Sequence, residues 1–188
     1  MKTKTSLKVT LLACVAALAS CATQPVPTRM PVSATMRPDL SLSGRIYQAV
    51  NTYRANHNAA ELQRHAGLDR LAQEHCEYLR RHRGEFGIYG KNVSHVGFEG
   101  RSLLARERYQ MMSISENVAA ANHPGEQSPA VLVKLWSESK DHEHNMRSEW
   151  THTGVGVVVD ADGMVFSTQI FATVTNSQMT MRNRLNSF

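Results

Sequence analysis

Apolar residues recur at helical spacing through the first half of the central chain and at strand spacing toward its end. Ile46, Val50 and Tyr53 fall at i, i+4 and i+7 and predict an amphipathic helix over 43–56. After a break at Asn56-His57-Asn58, Leu62 and Leu68 lead into a second helix over 68–81, with Leu71, His75, Cys76 and Leu79 on one face. The segment 84–100 carries glycines at 84, 87, 90, 97 and 100, too dense for a regular element, and reads as a long surface loop. Residues 101–109 suit a short helix and 113–118 an extended piece. Ser128 as N-cap and Pro129 at the first helical position predict a helix over 130–139. The apolar runs 155–159 and 164–171, joined by Asp160-Ala161-Asp162-Gly163, read as two strands of a hairpin. Helices followed by a terminal hairpin make the class α+β.

The two ends of the chain read differently. Lys2, Lys4 and Lys8 precede an uncharged apolar stretch over 9–19, too short to span a bilayer comfortably. The stretch ends in Leu18-Ala19-Ser20-Cys21, which resembles the lipobox of bacterial lipoproteins. The resemblance implies cleavage before Cys21, lipid on its thiol, palmitate included, and a membrane tether through 21–39, where prolines punctuate polar residues. Ala22, rather than aspartate, after the cysteine resembles enterobacterial sorting signals, and that resemblance implies the outer membrane. The domains expected are thus a signal peptide at 1–20, lipidated Cys21 and tether at 21–39, a folded domain at 40–174 and a loosely held tail at 175–188.

Cleavage would change the charge. The chain carries 21 Lys+Arg against 16 Asp+Glu; residues 1–20 hold three of the basic ones, leaving 18 against 16, or +2. So balanced a surface offers no electrostatic footprint for nucleic acid, and Arg80-Arg81-His82-Arg83 reads as the basic last turn of a helix. Cys14 leaves with the signal and Cys21 takes lipid, so Cys76 has no partner and the fold must be held by its core.

Several motifs then fall in order: Asn51-Thr52-Tyr53-Arg54, Leu68 to Ala72, Ser94-His95, Ser115-Glu116-Asn117-Val118-Ala119, Trp136, His142, Asn145-Met146 and Gly154-Val155-Gly156-Val157. The ordered series resembles the CAP superfamily (cysteine-rich secretory proteins, antigen 5, pathogenesis-related-1), in particular its disulfide-free bacterial SCP-like branch, over most of 43–174. The resemblance implies an α-β-α sandwich with a small, mainly antiparallel central sheet. It also implies a cavity lined by two histidines and two acids. His95 matches the first histidine, Glu116 the first acid and His142 the second histidine. The fourth position is Ser139, and Glu138 beside it points about 100° away on a helix.

Two imidazoles and a carboxylate could form a Zn²⁺ site at His95 and His142 with an open position, or a hydrogen-bonded polar network without metal. His144 diverges from His142 on a helix and reads as solvent-facing; His57, His65, His75, His82, His123 and His152 lack ligand spacing, and no His-Glu-x-x-His occurs. Trp136 and Trp150 read as core or wall aromatics, Asn51 and Arg54 as anchors of the first helix, and Cys76 as an inert buried thiol. The leading expectation is a membrane-anchored envelope module that binds a lipid, glycan, peptide or envelope protein without catalysis. The alternatives are a metal-dependent, peptidase-like hydrolase using His95, His142 and Glu116, and a purely structural surface protein.

Overall fold

The switch from helical to extended periods becomes five α-helices and four β-strands in the computed structural model, which describes residues 41–85, 94–122 and 124–174. The signal segment 1–20, Cys21, the tether to residue 39, residues 86–93 of the glycine-rich segment, His123 and the tail 175–188 lie outside the described residues. Helix α1 is Leu42–Asn56, capped by Ser41, whose Oγ accepts from the Gly44 N–H at 3.1 Å. Ile46, Val50 and Arg54, four apart, are its buried stripe. Strand β1 (Gln63–Arg64) is short, and α2 (Ala66–Arg81) buries Leu68, Leu71, Ala72, His75, Cys76 and Leu79. Then come α3 (Phe98–Tyr109), β2 (Met111–Ala121), α4 (Ser128–Ser137), α5 (Lys140–Arg147), β3 (His152–Val159) and β4 (Val165–Val174).

Local differences from the sequence reading have physical causes. Ser128 is not the N-cap of α4: a 3-10 turn over Gly125–Gln127 runs straight into the helix, so Ser128 is already helical and its hydroxyl donates back to the Gly125 carbonyl. Helix α4 stops at Ser137, and Ser139, in extended conformation, separates it from α5. The long loop expected over 84–100 is shortened at both ends, by a 3-10 turn at Arg83–Glu85 and by α3, which starts at Phe98 behind left-handed Gly97.

The sheet runs β1-β3-β4-β2, with β1 parallel to β3 and the other pairs antiparallel. Helices α2 and α3 cover one face and α1, α4 and α5 the other, giving the expected α-β-α sandwich. Alternation along β2 divides the core. Ala119 and Ala121 join Ile46, Val50, Leu132, Trp136, Met146 and Phe171 under α1, α4 and α5, whereas Val118 packs with Leu79, Met164 and Phe166 under α2. Cys76 is sealed within this second layer, and burial pushes its thiol up to about 12.

Helix α2 lies on β3 at two glycines. A Cβ at Gly154 would come within 2.2 Å of the Leu68 carbonyl carbon, and one at Gly156 within 2.3 Å of that of Ala72. Beyond its short pairing with β1, the edge of β3 is completed by α2 side chains one turn apart: Asp69 Oδ1 accepts from the Val155 N–H at 2.8 Å and Gln73 Oε1 from the Val157 N–H at 2.9 Å. Substituting alanine at Gly156 therefore forces helix and sheet apart. Gly156→Ala is expected to cost about 3 kcal/mol in urea unfolding, and a cost below about 1 kcal/mol would show that α2 can shift freely.

Candidate functional site

The site lies at the β2 edge of the sheet. Glu116 points from β2 toward the α2 and α3 layer and is 4 % exposed. Its carboxylate accepts three hydrogen bonds: from Arg101 Nε at 3.0 Å (to Oε2), from Arg101 Nη2 at 2.7 Å and from His95 Nδ1 at 2.9 Å (both to Oε1). Burial pushes the Glu116 carboxyl up, but the hydrogen bonds from His95 and Arg101, and the charge of Arg101, outweigh it and hold the group below the ordinary carboxylate range. Arg101 also donates to the Val96 carbonyl at 2.9 Å, tying α3 to the segment that carries His95.

The histidines arrive from opposite sides of the sheet. His95 stands just before α3, and His142 projects from α5 in the other layer; their ring centroids are 6.0 Å apart and tilted by 55°. His142 is half-buried, and burial together with the neighbouring His95 lowers its pKa. Because Nδ1 of His95 donates to Glu116, the neutral ring keeps Nε2 as an acceptor. A chain of amides positions α5 against the strand. Asn117 Nδ2 donates to the His142 carbonyl at 2.9 Å, Asn145 Nδ2 to Asn117 Oδ1 at 2.9 Å, and Trp150 Nε1 to the Asn145 carbonyl at 2.8 Å.

The structure brings His95, Glu116 and His142 together. Ser139 is the residue before α5 and its side chain makes no capping bond; Glu138 is exposed and its carboxylate lies 3.7 Å from Lys134 Nζ. His144 is exposed, Trp136 is wholly buried, and Asn51 and Arg54 fasten α1 to main-chain groups of the following segment. Two neighbours had no role in the sequence reading. One is Arg101. The other is His75 of α2, 2 % exposed, whose Nε2 donates to the Ser94 carbonyl at 2.9 Å and so carries the segment leading to His95. Its place on the apolar face of α2 was the available signal.

The donor set does not suit a zinc ion. Both oxygens of Glu116 are engaged by a bidentate guanidinium, and among the described residues no group of three or more His, Cys, Asp or Glu could hold a metal. His95, Glu116 and Arg101 form a hydrogen-bonded polar network that the ring of His142 faces without joining.

Acid should unlock it. Burial, and the charge of Arg101 after it, lower His75 from 6.5 to about 4, so below 6.5 the unfolded chain binds a proton that the folded chain refuses. The resulting stability is complete above pH 6.5 and is lost as pH falls through about 4, amounting to about 3 kcal/mol. Glu116 acts in the same sense at lower pH, its contribution lost as pH falls through its depressed pKa. Urea midpoints should therefore fall between pH 6.5 and 4, and His75→Gln should flatten that slope; an unchanged slope in the variant would remove His75 from the account.

Comparisons with known proteins bear on the whole domain. The sequence model of the cysteine-rich secretory protein family, CAP, matches residues 47–172. Among solved structures, an outer surface protein from Borrelia burgdorferi is similar at 15% identity and a TM-score of 0.54, over 69% of this chain and 90% of that one. An extracellular protein containing an SCP domain, from Bacillus anthracis, is similar at 23% identity and a TM-score of 0.52, over 69% of this chain and 39% of that one. At these identities the likeness establishes the fold. A search of curated proteins gives no match. With the family pattern running from α1 through β4 and the sandwich shared with both bacterial structures, this chain belongs to the CAP family of cysteine-rich secretory proteins.

Proposed function

We propose that the chain is a lipid-anchored CAP domain of the bacterial cell envelope that binds a ligand or partner at the His95–His142 face without catalysis. The observation that carries the non-catalytic reading is the grip of Arg101 on Glu116. A general base needs a carboxylate that takes up a proton near the working pH, and a guanidinium on both oxygens opposes this. The histidine rings keep free capacity: among the described residues no hydrogen bond is made by the ring of His142. That pair suits a ligand hydroxyl or N–H set between two imidazoles. Among the described residues no hydrogen bond joins Ser94 Oγ to His95; that oxygen accepts from the Val96 N–H at 3.0 Å, so the pair is not arranged as a triad.

The envelope reading rests on the charged start, apolar stretch and Leu18-Ala19-Ser20-Cys21 of the sequence. The two similar structures, one an outer surface protein and one extracellular, support the same side of the membrane. Ala22 after the cysteine, by its resemblance to enterobacterial sorting signals, supports anchoring in the outer membrane.

Two measurements test this reading. Dialysed against trace Zn²⁺, the protein is expected to retain far less than one zinc per chain by elemental mass spectrometry, as is His95→Ala/His142→Ala; near-stoichiometric zinc lost in the double variant would revive the hydrolase. Palmitate labelling in cells should vanish in Cys21→Ala, and labelling that persists would defeat the anchor.

A further inference from the structure

Arg54 differs from the other buried polar side chains in its charge balance. It is 1 % exposed, and its Nε and Nη1 donate only to main-chain carbonyls: Ala60 at 2.8 Å, Met146 at 2.6 Å and Ser148 at 3.0 Å. Its Nη2 donates to no protein group among the described residues. Carbonyl dipoles satisfy N–H groups but leave the positive charge in place, and among the described residues no carboxylate pairs with it; burial lowers the Arg54 pKa.

Arg54 is among the residues lining an open groove of about 730 Å³ between the C-terminal ends of α1 and α5. The volume is that of a small-molecule site. The remaining walls include His57, Ala60, Glu143, Arg147 and Trp150. Glu143 pairs with Arg147 Nη1 at 3.0 Å and accepts from the Tyr53 hydroxyl at 3.3 Å, and among the described residues it makes no ion pair with Arg54. Glu149 and His144 stand on the exposed rim. Trp150 is half-buried, its ring stacked on Phe171 at 6.1 Å and its Nε1 committed to Asn145, so what it offers the groove is an apolar surface.

We propose that this groove, separate from the His95–His142 face, is a carboxylate site: a small ligand brings the anion that Arg54 lacks and rests its apolar part against Trp150. An anion beside a desolvated guanidinium forms a charge-assisted pair whose desolvation cost the fold has already met on the protein side. Two sources share this chemistry, the free C-terminus of a short peptide and a sugar acid.

The test uses Trp150 as reporter in the full chain, with the buried Trp136 as a constant background and Trp150→Phe to assign the signal. Acetyl-alanyl-alanine, its C-terminal amide and glucuronate are titrated in turn. At least one carboxylate is expected to bind with Kd of about 20 mM or tighter while the amide does not; peptide alone, or glucuronate alone, identifies the source. Arg54 itself is a poor variant, because its bonds to the Met146 and Ser148 carbonyls hold α1 to the end of α5. The exposed Ala60 serves instead. Ala60→Glu, which adds like charge to the wall, should weaken the carboxylate about tenfold while Ala60→Gln does not. Equal binding of acid and amide, unaltered affinity in Ala60→Glu, or no response to either carboxylate would overturn the assignment.

Discussion

Gly154 and Gly156 let α2 lie against β3 so closely that helix and strand backbones face each other, and the candidate site hangs from that contact. The residues above the two glycines are Leu68 and Ala72; one turn further along the same face is His75, the support of the segment that presents His95. Asp69 and Gln73 share in the contact by taking the free N–H groups of β3. The same helix thus closes the sheet edge and orients the site, so strain at the glycines would be felt at Ser94 as well as in the core.

The chemistry of the site is then decided by a cation. With Arg101 in place, the acidic member of the network is neutralised and fixed in direction, and the two imidazoles are left as the adaptable groups. A buried pair of this kind contributes little net stability, since desolvating both ions offsets most of their attraction. Its effect is on geometry. Arg101 joins α3, the Val96 carbonyl and β2, while the Asn117–Asn145 bond and the Trp150 indole hold α5 from the other layer.

How much of this was legible in the sequence follows from what periodicity can encode. A repeat of apolar positions reports which face is buried, so the helices around Ile46 and Leu71 and the terminal hairpin were readable. It does not report what lies across the interface. His75 was visible as a member of an apolar face, but its bond to Ser94 depends on a segment 19 positions away. Arg101 had a place in a helix but no local signal for a partner on β2. The break between α4 and α5 has no proline or glycine to mark it; Ser139 alone turns extended there, after Glu138, which still follows the last turn of α4 and so lies beside Lys134. The pairing of His95, Glu116 and His142 came from the ordered family motifs, because no spacing in the chain shows that two layers converge at a sheet edge.

Cys76 carries a consequence for how the domain matures. A thiol with no exposed surface and a pKa near 12 is essentially never a thiolate at neutral pH, and the thiolate is the form that attacks disulfides or is oxidised. Once folded, the described domain gives oxidoreductases nothing to act upon. Its native state is reached by packing alone, without waiting for thiol exchange, and holds equally in reducing and oxidising surroundings.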